Sequence, residues 1–100
     1  MIKLTDNGLT DDDLDAIARE DITQIEQWGY AEHSIDTWLV ILGEEYGELC
    51  NAALSITSMS LAQNPSLSKI VEREALQLAT LALKIKVMIA KRAKELRLEV

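Results

Sequence analysis

One hundred residues of 11.2 kDa with a net charge of −7 and a pI near 4.6 describe one small acidic domain and argue against broad nucleic-acid binding, which rests on clustered Lys and Arg. Proline occurs once, glycine four times and phenylalanine never, while 48% of the residues are hydrophobic. That leaves too few turn formers for a sandwich or barrel and predicts an all-α helical bundle of three to four helices with an aliphatic core.

The charge is uneven along the chain: residues 1–50 carry 13 acids and 2 bases, residues 51–100 carry 4 and 8. A single cysteine, Cys50, excludes an internal disulfide and any zinc site built from several thiolates. Met1–Asp6 has no apolar signal-peptide core, and the longest clean apolar run, Trp38–Leu42, falls far short of a membrane span. The expectation is a cytoplasmic chain with no membrane partner.

Residues 1–9 read as a loose N-terminal segment of a single domain covering 1–100. The first helix is predicted to begin at Thr10, whose hydroxyl caps a first turn holding Asp11, Asp12 and Asp13 at the positive end of the macrodipole. Leu14, Ile17, Ala18, Ile22, Ile25 and Trp28 repeat at helical spacing, and Gly29 stops the helix. Residues 29–35 read as a loop. Ser34 or Asp36 is placed to cap a second helix from about Thr37 to Thr57. A break follows at Ala62-Gln63-Asn64-Pro65, and a third helix runs from Ser66 or Ser68 toward Lys94, with Lys84, Lys86, Lys91, Arg92 and Lys94 in its C-terminal half.

At about 100° per residue, Leu67, Ile70, Leu78, Leu81, Ile85 and Met88 share one face of this third helix, and Leu76, Ala79, Leu83 and Val87 lie nearly opposite. A helix apolar on two sides must be buried on two sides. A second subunit is expected over the second face, so the domain is expected to be at least a dimer. Met59 and Met88 read as core filler, and Cys50 as a small buried hydrophobe.

The informative segment is Trp38-Leu39-Val40-Ile41-Leu42-Gly43-Glu44-Glu45-Tyr46-Gly47-Glu48. With Glu44 set at zero on a helical wheel, Glu48 falls at about 40° and Glu45 at about 100°, among Ile41, Ala52, Trp38 and Ile56 at about 60–120°. Carboxylates therefore sit inside an apolar stripe. Glu74 does the same in the third helix, with Gln77 one turn on. Like charges brought together in a poorly solvated place need a cation, and an all-oxygen donor set suits Mg²⁺, with Mn²⁺ as a possible substitute. The opposing reading is a solvated acidic face. Iron is disfavoured because a di-iron bundle needs Glu-x-x-His pairs and the single histidine, His33, follows no such glutamate.

Gln24, Trp28-Gly29, His33, Trp38-Leu39, Glu44-Glu45-x-x-Glu48 and Glu74-x-x-Gln77 together resemble MazG-like proteins of the all-α nucleoside triphosphate pyrophosphohydrolase superfamily, over roughly Glu20 to Ile89. The resemblance implies metal ligands at Glu45, Glu48, Glu74 and Gln77, with Glu44 beside them to position water or add a ligand. It departs from the family at Gln77, where the family carries Asp: glutamine still offers a carbonyl oxygen but removes one negative charge. The implied reaction takes a nucleoside triphosphate and water to the monophosphate and pyrophosphate, with catalytic roles for Glu44, Glu45 and Glu48 and no covalent nucleophile. Lys84 is a candidate for steadying the leaving pyrophosphate. Trp28, His33 and Trp38 bracket the first loop and are candidates for substrate contact, with Gln24 as a hydrogen-bonding companion; core packing is the other reading of Trp38. The alternative function is a helical dimerisation or protein-interaction module of the same fold that has lost catalysis.

Overall fold

In the computed structural model, residues 8–29 and 33–96 are described, and among them every regular element is an α-helix. α1 spans Asp11–Trp28, α2 Ile35–Leu54, α3 Ser58–Gln63 and α4 Leu67–Glu95. The expected loose segment falls largely on residues 1–7, outside the described residues. No helix of the described residues is long and apolar enough to cross a membrane.

Local chemistry sets the helix ends. Thr10 Oγ1 accepts from the Asp13 amide while the Asp13 carboxylate accepts from the Thr10 amide at 2.8 Å, a reciprocal cap. Gly29 ends α1 at φ 82°, a left-handed value that side chains resist, and its amide donates to the Ile25 carbonyl at 2.7 Å. Ser34, rather than Asp36, caps α2 by accepting from the Thr37 amide.

The second helix is shorter than expected at its C-terminus. It ends at Leu54, because Thr57 leaves the helical path to cap the short α3, exchanging hydrogen bonds with Ser60. This Thr-x-x-Ser box explains an element that hydrophobic periodicity did not predict. α3 also carries Met59 to the surface, 72% exposed, so it is not core filler.

α4 is the central element, with α1, α2 and α3 all packed against it. α2 lies antiparallel to α4. Arg92 near the end of α4 donates to the His33 carbonyl just before α2, while Glu45 in the middle of α2 sits beside Gln77 and Glu74. Trp38, Leu81 and Met88 form the buried core, with Trp28, Ile35, Ile41, Leu42 and Ile85 packed around them. The expected core face of α4 is thus largely right, except that Ile70 is half exposed.

The opposite face of α4, for which a second subunit was expected, is partly covered within the chain itself. Leu83 and Val87 border a cleft of about 480 Å³ whose far wall is Leu14, Ile17 and Ala18 of α1. They remain 48% and 64% exposed, so α1 covers that face incompletely. A second apolar groove of about 590 Å³ runs between α2 and α4, lined by Leu39, Leu42, Gly43, Tyr46, Leu78 and Ala82. The radius of gyration, 16.3 Å, exceeds the roughly 13 Å of a compact 100-residue domain. The helices lie side by side and leave apolar surface open.

Candidate metal centre

Glu45 and Glu48 come from one turn of α2, and Glu74 from the facing turn of α4. Each offers a carboxylate oxygen, and these oxygens all lie within 4.8 Å of one another. A central hard cation with contacts of about 2.1–2.4 Å spans such a set. Glu45 is buried, Glu74 half-buried and Glu48 exposed, so the cluster opens to water on the Glu48 side. Glu44 is exposed beside it.

The side-chain amide of Gln77 closes the inner side of the cluster. Its end lies 3.0 Å from Glu74 Oε2 and 3.3 Å from Glu45 Oε2, close enough to donate to both when the nitrogen faces them. Every group around the centre is an oxygen or an amide, the donor chemistry of a hard divalent ion rather than a soft one. The three carboxylates could hold a divalent cation.

Burial, followed by the charges of Glu48, Glu74, Glu20 and Glu44, pushes the Glu45 carboxyl above the ordinary glutamate range. Glu74 is pushed the same way by burial, by the charge of Glu48 and by a hydrogen bond shared with Glu48, against a smaller lowering by Arg73. A carboxyl raised in the folded state binds its proton more tightly there than in the unfolded chain. Its contribution to stability is therefore present at low pH and is lost as the pH rises through the folded-state value. In chelator, acidification through the range in which Glu45 and Glu74 take up protons is expected to favour the folded state, and Glu45→Gln should weaken that pH dependence. Melting temperatures of wild type and Glu45→Gln that change with pH in parallel would show that Glu45 is not crowded by its neighbours.

The structure also draws in Glu20, which the motif pattern did not flag. Glu20 of α1 is half-buried, and its charge is felt at Glu45. Ile17, Glu20 and Gln24 repeat at helical spacing, a signal already present in the sequence. Gln24 is 1% exposed and its Nε2 donates to the Gln77 carbonyl at 2.9 Å, tying α1 to α4 behind the centre. The Gln24 Oε1 atom has no hydrogen-bond partner among the described residues.

The remaining candidates divide. Lys84 forms an ion pair with Asp21 at 3.0 Å, on the α1–α4 cleft and two helical turns beyond Gln77. It is engaged there, and the structure does not bring it into the acidic cluster. His33 donates from Nε2 to the Trp28 carbonyl at 2.7 Å and accepts at its own carbonyl from Arg92 at 2.6 Å, which makes it a junction between the end of α1 and the end of α4. Trp28 is half-buried against the core and keeps part of its surface. Trp38, 1% exposed and edge-on to His33 at 5.1 Å, is packed in the core, the position that the core-packing reading gave it. Cys50 is half-buried rather than sealed in the core.

No protein-family model matches this chain, and neither a curated protein nor a solved structure matches it.

Proposed function

We propose that this protein is a metal-dependent nucleoside triphosphate pyrophosphohydrolase of the MazG-like kind, yielding a nucleoside monophosphate and pyrophosphate. The observation that carries the reading is the convergence of Glu45, Glu48 and Glu74 from two helices, with their oxygens within 4.8 Å on a half-buried, apolar-flanked face. Glu45, Glu48 and Glu74 would hold Mg²⁺, with Gln77 supplying an amide oxygen. A bound divalent ion neutralises phosphate oxygens and acidifies water.

The chain's own groups do the rest. Glu44, exposed beside the centre, accepts the proton of the water that attacks the α-phosphate. Buried Gln24 fixes the α4 backbone at Gln77 and so sets the separation of the acids. Trp28, at the mouth of the first loop, is the aromatic surface left for a base once Trp38 is assigned to the core. Self-association is part of the proposal, supported by the open apolar groove and cleft of the overall fold. Light scattering on a gel-filtration column should find no stable folded species near 11.2 kDa. A well-folded monomer at micromolar concentration would remove this part.

A second reading, a helical association module without catalysis, is favoured by the Gln77 amide, which can satisfy Glu45 and Glu74 with no ion present. One experiment separates the two. A panel of nucleoside triphosphates is incubated with Mg²⁺ and a coupling pyrophosphatase, alongside thermal melts with and without the metal. The enzyme reading expects metal-dependent phosphate release and a metal-raised melting temperature, since a ligand of the native state must stabilise it. No release from any triphosphate and no thermal response to metal would leave the association module.

A further inference from the structure

Gln77 stands where the carboxylates need a donor in the absence of an ion and where an ion would need an oxygen. Its amide end is 3.0 Å from Glu74 Oε2 and 3.3 Å from Glu45 Oε2. Its backbone is pinned, because the carbonyl accepts from the buried Gln24 Nε2 at 2.9 Å. The side chain can therefore change what it presents without any movement of α4. The terminal torsion of glutamine is broad and roughly two-fold, and its NH₂ and oxygen ends are close in size, so a half turn exchanges two donors for an acceptor at the same place.

We infer that Gln77 is a two-faced positioning residue: its NH₂ group bridges Glu74 and Glu45 when no cation lies between them, and a half turn offers its oxygen when one enters. The first state keeps the acids assembled. The second completes an oxygen donor set and rests on the proposed reading of the cluster as a cation site. Aspartate or glutamate at position 77 can play only the second part, because a carboxylate has no proton to donate at neutral pH and adds a fourth charge to a crowded cluster.

The test uses the full chain and two readouts that need no catalysis. With glutamine side chains labelled with ¹⁵N, the Gln77 NH₂ pair, assigned by its loss in Gln77→Glu, should exchange slowly with solvent in chelator. Titration with Mg²⁺ should move it toward the shift and exchange rate of an exposed glutamine. In chelator, Gln77→Glu should melt lower than wild type by roughly 5–15 °C, the range set by the loss of charge-assisted hydrogen bonds in a domain this size. Gln77→Glu combined with Glu74→Gln exchanges the partners of the amide–carboxylate pair and should recover most of that loss. With Mg²⁺, the upward shift should be larger in Gln77→Glu than in wild type. Rapid exchange of the Gln77 NH₂ in chelator, or equal melting of Gln77→Glu and wild type there, overturns the bridging state. A bridging state that persists while Mg²⁺ raises the melting temperature overturns the half turn alone; one that persists with no thermal response to Mg²⁺ overturns the cation reading of the cluster as well.

Discussion

Glu45→Gln is expected to lower metal-dependent hydrolysis by at least about 100-fold while leaving helix content and metal-free stability intact. The loss follows from position. Glu45 is the most buried of the three acids, 8% exposed, and its oxygen lies within 4.8 Å of those of Glu48 and Glu74. Replacing a carboxylate by an amide keeps the shape and one oxygen but removes the charge that, on the proposed reading, would hold a divalent ion. Changes only one shell further out already cost about 10–100-fold in metal sites. Retained stability follows from electrostatics, since burial and four neighbouring carboxylates disfavour the charged form of Glu45. A neutral amide is spared that penalty, so the variant should melt no lower than wild type in chelator. Glu48→Gln should show the same loss of activity with a smaller thermal effect, because Glu48 is exposed. Pyrophosphate release and circular-dichroism melts measure both sides. Full activity in both variants would reduce the cluster to a helix surface.

The geometry of the centre was legible in the sequence because it depends on two one-helix properties. The wheel places Glu45 with Trp38 and Ile41, and Trp38 and Glu45 are the two buried residues of α2. The same arithmetic places Glu74 with Leu81 and Met88. Helix ends were legible for the same reason: Thr10, Gly29 and Ser34 act on amides and carbonyls three or four residues away. What escaped the pattern depends on contacts between helices. The Gln24 amide meets the Gln77 carbonyl across 53 positions of sequence, and Lys84 meets Asp21 across 63. Neither pairing leaves a mark in the periodicity of either helix. α3 escaped for a different reason, since six residues are too few to show a helical repeat and only the Thr57–Ser60 box announces it.

The site and the core share α2, which ties chemistry to stability. Trp38, Ile41 and Glu45 follow one another up a single stripe, so the same packing that buries the indole also presses the carboxylate toward α4. Arg92 anchors the far end of this stripe through the His33 carbonyl, and the Gln77 amide meets its near end. A disturbance in the core is therefore expected to reach the acids by shifting α2 against α4.

Trp38→Ala is expected to produce the largest loss of stability in the chain, about 3–5 kcal/mol, the usual scale for removing a buried large aromatic. Trp38 is 1% exposed, and only two other hydrophobic residues, Leu81 and Met88, are buried with it among the described residues. So small a core has no reserve to collapse into the cavity. Against a total of roughly 5–15 kcal/mol for a domain, a loss of this size corresponds to a fall in melting temperature of roughly 15–30 °C. Trp38→Phe should fall much less. It keeps an aromatic ring against Leu81 and removes an indole N–H that has no hydrogen-bond partner among the described residues, which offsets part of the lost contact. The pair of variants also separates core packing from substrate contact. A residue packed in the core changes stability in both variants and leaves the KM of folded Trp38→Phe near that of wild type. A residue that stacks on a base raises KM in the phenylalanine variant while barely moving the melting temperature of the alanine one. The buried position of Trp38 predicts the first pattern, and thermal melts with initial-rate kinetics on the two proteins decide it.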